Sequence, residues 1–179
     1  TGDPRWQDAA RHADTFVESM WDSTLGGYRA GSLNPAQRNE SPGQLPLDTQ
    51  TWNVLARTNQ ALVLHPDLLL CPQTRMAVTH DGFSGFDFNE DRDGVWFEGC
   101  GQVSAAYAKA GMPAEEERLK ALLRAAQQMP APAGDGCGTP AACHDGVSSG
   151  FGFQLYRRLH VGATAWSIFA QLSLNPYYD

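Results

Sequence analysis

The chain has 179 residues, 42% of them hydrophobic, and a formal net charge of -7 at pH 7. This is enough apolar material for one domain, residues 1–179, with a substantial core. The acidity excludes the basic face by which nucleic acid is bound, and no continuous apolar run is long enough to span a bilayer.

Thr1 is not an initiator Met, and no signal peptide follows it, so the sequence reads as a processed mature chain or an excised fragment. Asp3-Pro4 opens a first helix, because Asp caps free backbone N–H groups and Pro is tolerated at the first helical position. Trp6, Ala9, Ala10, Ala13, Phe16, Val17 and Met20 recur there at helical spacing, with charged residues between them. Leu25 to Gly31 is a turn or short hairpin, and Ser32 to Pro46 a polar loop. That loop carries the triplet Asn39-Glu40-Ser41, a formal glycosylation sequon read here as a surface turn.

A second helix is expected from Asp48 to Val63, and a third from Leu68 to about Val78 after His65-Pro66-Asp67. His80 to Asp93, aromatic and acidic, is expected as an irregular loop or short strands. A fourth helix runs from Phe97 to Ala110 and is closed by Gly111. Met112-Pro113 opens a fifth, with glutamates in its first turn and a buried stripe of Leu119, Leu122, Leu123, Ala126 and Met129. Pro130 to His160 is a long connection of the kind that is often functional. The last helix runs from about Gly162 to Leu174, before Asn175-Pro176.

Of the four cysteines, Cys137 and Cys143 share one Gly/Pro-rich loop, where a short disulfide would staple the segment. Such a bridge favours an oxidising compartment, periplasmic or secreted. For Cys71 and Cys100 the sequence leaves both a pair and two buried thiols open.

Three helix starts share a plan. Glu98-Gly-Cys-Gly-Gln102 aligns with Asp48-Thr-Gln-Thr-Trp52 and with Gly162-Ala-Thr-Ala-Trp166, each followed four positions later by Ala. The spacing, roughly 50 to 65 residues, is that of a helical hairpin plus its loops. Helices one, three and five start with Pro, and the first and fifth are clearly amphipathic. Helices two, four and six are poor in charge and rich in Ala, Ser, Thr and Trp, as enclosed helices are. The expected fold is therefore all-α, an array of three helical hairpins with inner and outer layers.

That layout resembles the six-hairpin glycosidase-like α/α toroids, in which inner helices ring an axis and the loops at one end form a substrate funnel. A full toroid has about twice as many hairpins, so the resemblance implies about half of a complete (α/α)6 barrel. It implies the C-terminal part of a larger toroid, or a second chain, to cover the open edge. Glu90-Asp-Arg-Asp-Gly-Val-Trp96 is also similar to the Q-x-x-x-G-x-W motif of terpenoid-cyclase toroids, but the acidic Asp-x-Asp-Asp motif of those enzymes is absent.

The resemblance implies a carbohydrate substrate and a glycoside hydrolase. Glycoside cleavage requires two carboxyl groups roughly 5 to 9.5 Å apart, and Asp48 and Glu98 stand at the starts of inner helices, where the funnel would lie. His160, just before the last inner helix, is placed to act as acid/base or to donate to a sugar hydroxyl. Trp96, Phe151 and Tyr156, beside loop glycines, are candidates for stacking on sugar rings, with Trp52 and Gln102 one turn into their helices. Arg157 and Arg158 suit a carboxylate, as in a uronic-acid polymer.

Within the acidic stretch Asp87 to Asp93, Asn89-x-Asp91-x-Asp93-Gly94 resembles the first half of a calcium loop. Cys100 stands where such a loop places its bidentate Glu, so no metal and no cofactor is expected. Two alternatives come from other classes. One is a non-catalytic glycan-binding or interaction module using the same aromatics. The other is a polysaccharide lyase or sugar epimerase with His160 or a Tyr as base.

Overall fold

The computed structural model describes residues 3–57, 60–130 and 133–178. Among them the order is α1 (Pro4–Ser19), β1 (Trp21–Asp22), β2 (Gly27–Tyr28), β3 (Ser32–Asn34), β4 (Gln37–Arg38), α2 (Leu47–Ala56), α3 (Gln60–Leu64) and α4 (Leu70–Arg75). Then come β5 (Ala77–His80), β6 (Phe83–Phe86), α5 (Phe97–Lys109), α6 (Pro113–Gln127), β7 (Val147–Ser148), β8 (Gln154–Leu155) and α7 (Val161–Gln171).

The all-α expectation is corrected. Among the described residues, four two-stranded antiparallel sheets, β1-β2, β3-β4, β5-β6 and β7-β8, are interspersed with the helices, so the fold is mixed α and β and not an all-α array of three helical hairpins. The largest departure is the expected third helix, which is reduced to the six residues of α4. Ala77-Val-Thr-His80 continues instead as β5 and pairs with β6 from Ala77↔Phe86 to His80↔Phe83. The physical reason is the Asp81-Gly82 turn. Both residues have positive φ, 50° and 80°, as a two-residue hairpin loop between right-twisted strands requires. The expected second helix is likewise interrupted: α2 ends at Ala56, residues 58 and 59 lie outside the described ones, and α3 is separate.

The core is organised around α5, in which ten residues from Phe97 to Tyr107 are buried. α2, α6 and α7 pack on it. The α6 stripe of Leu119, Leu122, Leu123 and Ala126 is buried as its spacing predicts, each leucine contributing about 1.5–3 kcal/mol on removal from water. Helix α1 is different in kind, with no buried residue. Its polar face is tied down by Arg57, whose guanidinium reaches Asp14 at 2.7 Å and Glu18 at 2.8 Å. No helix of the described residues is long and apolar enough to cross a membrane.

Candidate functional site

Three helices begin close together because the backbone before them is knitted into a small irregular ladder. The segment 139–143 lies between the approach to α5 and the approach to α7. On one side Trp96 bridges Ala142, Phe97 N–H donates to Ala141 O at 3.0 Å and Cys143 N–H to Val95 O at 3.0 Å. On the other, Pro140 bridges Leu159, Ala141 N–H donates to Arg158 O at 2.9 Å and His160 N–H to Thr139 O at 3.0 Å. α2 joins the same end through Leu47 N–H and Phe88 O at 2.8 Å. Residues far apart in sequence, Asp48, Glu98 and His160, are thereby placed at neighbouring helix starts.

Glu98 is the centre of this group. Its side chain is only 19% exposed, and its Oε2 lies 3.4 Å from His160 Nδ1. Helix α5 starts from Trp96 with no side-chain capping bond, so this carboxyl is not consumed in capping its own helix. Burial raises its pKa above the ordinary glutamate value; the nearby His160 acts against that rise and the charge of Asp48 adds to it. Burial also raises Asp48, partly offset by the first-turn N–H groups of Thr49 and of Asp48 itself.

His160 caps α7, its Nδ1 accepting from Ala163 N–H at 3.2 Å. A nitrogen that accepts there carries a lone pair and repels an ionised carboxylate 3.4 Å away. One proton shared between Glu98 and His160 removes that repulsion. The arrangement places a carboxyl raised by burial within the field of a second one, the kind of pairing from which acid/base chemistry is built.

Two further residues belong to the group. The ring of Tyr177 is near enough to Asp48 that its phenol is raised, by burial first and then by that charge. Gly162 is the other. A Cβ there would lie 2.3 Å from Glu98 Oε2 and 3.1 Å from His160 Cε1. The aligned helix starts already hinted at this, since Gly162 stands where the other two carry acids. Tyr177 had no such signal, being a tail residue beyond a proline.

Gly162→Ala is expected to push the flexible end of Glu98 away from His160 without unfolding the chain. Activity should fall about 10- to 100-fold, the scale of an ångström's misplacement, with the melting temperature within about 2 °C of wild type. Parallel assay and thermal denaturation check this, and unchanged activity would place Glu98 outside the reacting constellation.

The other candidates divide. Trp52 is 42% exposed on α2, one turn beyond Asp48. Phe151 and Tyr156 are 39% and 42% exposed on and beside the β7-β8 hairpin, and Arg158 stacks over the Tyr156 ring at 5.1 Å. Arg157 is half-buried, its backbone N–H donating to Asp145 Oδ1 at 2.8 Å. Trp96 and Gln102 are core residues. Trp96 is 4% exposed and packs on Phe88 at 4.7 Å between ring centroids. Gln102 is fully buried, its Oε1 accepting from Thr51 Oγ1 at 2.9 Å. Neither presents a surface to a sugar.

The acidic loop is structural. Asp87 accepts from Phe88 N–H and Asp93 N–H, and the Asp93 carboxylate accepts from Ser148 N–H at 3.0 Å, binding the loop to β7. Asp87, Asp91 and Asp93 bring oxygens within 4.8 Å of one another, and all three are engaged by backbone N–H groups within the fold. Burial first, then Asp91, pushes the Asp87 carboxyl up to about 8 from 3.8.

A carboxyl raised in the folded state makes folding take up a proton. Its contribution is full below about pH 4 and lost as pH rises through about 8. The melting temperature is expected to fall across that interval, and Asp87→Asn to flatten the slope. Asp22, held down at about 2 by Thr24 and Arg29 against its burial, acts with the opposite sign and only below about pH 4. Circular dichroism melts against pH test this; an unaltered slope in Asp87→Asn would remove Asp87 as its source.

All four cysteines are free, so the Cys137–Cys143 disulfide is corrected. Cys137 is exposed, whereas Cys143 is buried with its Sγ accepting from Val95 N–H at 3.2 Å. The expectation of a periplasmic or secreted location loses that basis. No protein-family model matches the chain, and neither a curated protein nor a solved structure matches it.

Proposed function

We propose that the chain carries the acid/base centre of a carbohydrate-active enzyme, a glycoside hydrolase related to the six-hairpin glycosidases, with Glu98 as proton donor and Asp48 as the second carboxylate. The observation that carries this reading is the Glu98 environment: a mostly buried carboxyl with a raised pKa, beside an imidazole and within the field of another carboxyl. In this reading His160 orients the Glu98 carboxyl, and the Tyr177 phenol, near Asp48, is the group that meets a substrate hydroxyl. Trp52, Phe151 and Tyr156 offer exposed ring faces of the kind that stack on pyranose rings.

The exposed apolar residues Val161 and Ile168 of α7 and Leu172 at its C-cap support a further chain or further helices as the far wall of the funnel. Incubation with a panel of neutral and uronic-acid polysaccharides, followed for new reducing ends, tests the reading. Saturated products match hydrolysis, unsaturated ends make the same site a lyase, and binding without cleavage leaves a glycan-binding module.

A further inference from the structure

We propose that His80, Cys143 and His144 form a binding site for a single transition-metal ion of the zinc class, separate from the Glu98 site. One ligand atom from each of the three lies within 4.8 Å of the other two. Two imidazoles and a thiolate are the borderline-soft set that selects zinc and its neighbours over magnesium or calcium.

The surroundings of each ligand favour an ion. The buried Nδ1 of His80 has no hydrogen-bond partner, and an unsatisfied buried polar atom is costly. Asp81 Oδ1 lies 3.4 Å from it, within reach as a fourth ligand or as the group that orients the ring. The Cys143 sulfur is buried but accepts the Val95 N–H at 3.2 Å, a contact that stabilises a metal-bound thiolate.

His144 packs against His80 with ring centroids 4.3 Å apart and the ring planes tilted by 35°. Its Nδ1 faces Asp145 O and its Nε2 faces Asp93 O, both at 2.9 Å, a pair of contacts that only the doubly protonated ring satisfies. A metal ion takes the place of one of those protons, and the remaining N–H to a backbone carbonyl is the orienting contact usual for ligating histidines. That proton and the thiol proton pass to solvent on binding.

Ligand bonds of about 2.0–2.3 Å put tetrahedral ligand atoms about 3.3–3.7 Å apart. The three groups therefore close by roughly an ångström when loaded. The partly exposed His80 and His144 give the ion a way in, while Cys143 anchors it.

The position explains what such an ion does. His80 ends β5, and Cys143 ends the 139–143 segment that aligns Glu98 with His160. An ion bridging them fastens that ladder to the β5-β6 hairpin, a structural role that stands whether or not Glu98 cleaves glycans.

The test uses Co²⁺ as the probe. Chelator-treated chain is titrated with Co²⁺ and followed by absorption, then back-titrated with Zn²⁺ while thermal denaturation is recorded. One equivalent of Co²⁺ is expected, with a sulfur-to-cobalt charge-transfer band and tetrahedral visible bands, and Zn²⁺ is expected to displace it and raise the melting temperature. His80→Ala, which removes a side chain that is 40% exposed and so leaves the fold intact, should weaken binding by at least about 100-fold, more than loss of a merely orienting group. Cys143→Ala should abolish the charge-transfer band, and Cys137→Ala should leave binding intact. No stoichiometric band in the folded wild type, or binding undiminished in both His80→Ala and Cys143→Ala, would overturn the proposal.

Discussion

Glu98→Gln is expected to lower the rate of glycosidic cleavage by about 10²- to 10⁴-fold, the usual contribution of a general acid, while the chain stays folded. The amide has the shape of the carboxyl and meets the same neighbours, Gly162 and His160, so packing is conserved. What is lost is an acidic proton. Each tenfold corresponds to about 1.36 kcal/mol of transition-state stabilisation, so the loss is about 3 to 5 kcal/mol.

The pH profile separates this role from mere binding. A proton donor works only below its own pKa, and burial raises that of Glu98. Wild-type activity is therefore expected to fall as the pH rises through the raised value, and the residual activity of Glu98→Gln to lack that limb. Asp48→Asn should also be strongly impaired but keep the limb. Cleavage undiminished in both variants would sink the assignment.

Much of this centre was legible because helix starts leave a pattern. Asp48, Glu98 and Gly162 fall at equivalent positions of three similar helix openings, and His160 directly precedes the third. The ladder joining these openings was not legible. Segment 139–143, Thr-Pro-Ala-Ala-Cys, has neither alternation nor β-branched enrichment, and it pairs through isolated bridges and single hydrogen bonds. Tertiary context alone selects that conformation.

The fold shows the same division. α5, α6 and α7 lie within a few residues of their expected spans, since long periodic stripes against one core leave little choice. The β5-β6 hairpin begins two residues inside the expected third helix, at Ala77-Val78, and runs on into the stretch from His80 expected as a loop or short strands, where Asp81-Gly82 is a strong turn signal. The apolar residues around it form a short run that fits either period, and the turn residues were the better guide. Trp96 and Gln102 illustrate a different limit. Burial of a large or polar side chain at a helix start depends on what the neighbouring segments offer, here Phe88 of the loop after β6 for the ring and Thr51 of α2 for the amide.

Gly101→Ala is expected to damage both stability and chemistry. An added Cβ would lie 2.8 Å from Trp166 Cβ and 2.9 Å from the Trp166 backbone carbon and oxygen. Unlike the carboxylate end met at Gly162, these atoms belong to the body of α7 and have no rotamer to escape into. Relief to an ordinary contact of about 3.5–4.0 Å requires the two helices to separate by roughly half an ångström or more. Alanine is intrinsically the better helix former by about 1 kcal/mol, so a freely accommodated methyl would raise the melting temperature. Overpacking of a tight contact costs about 1–3 kcal/mol, and at this chain length each kcal/mol lowers the melting temperature by about 2–4 °C. A decrease of about 2–12 °C is expected. The separation also opens the 3.4 Å contact between Glu98 and His160, which begin these same two helices. Activity at a temperature well below the transition should therefore fall along with stability. A melting temperature above wild type would show that α5 and α7 do not meet closely at Gly101, and the spacing of the Glu98 and His160 pair would then need another cause.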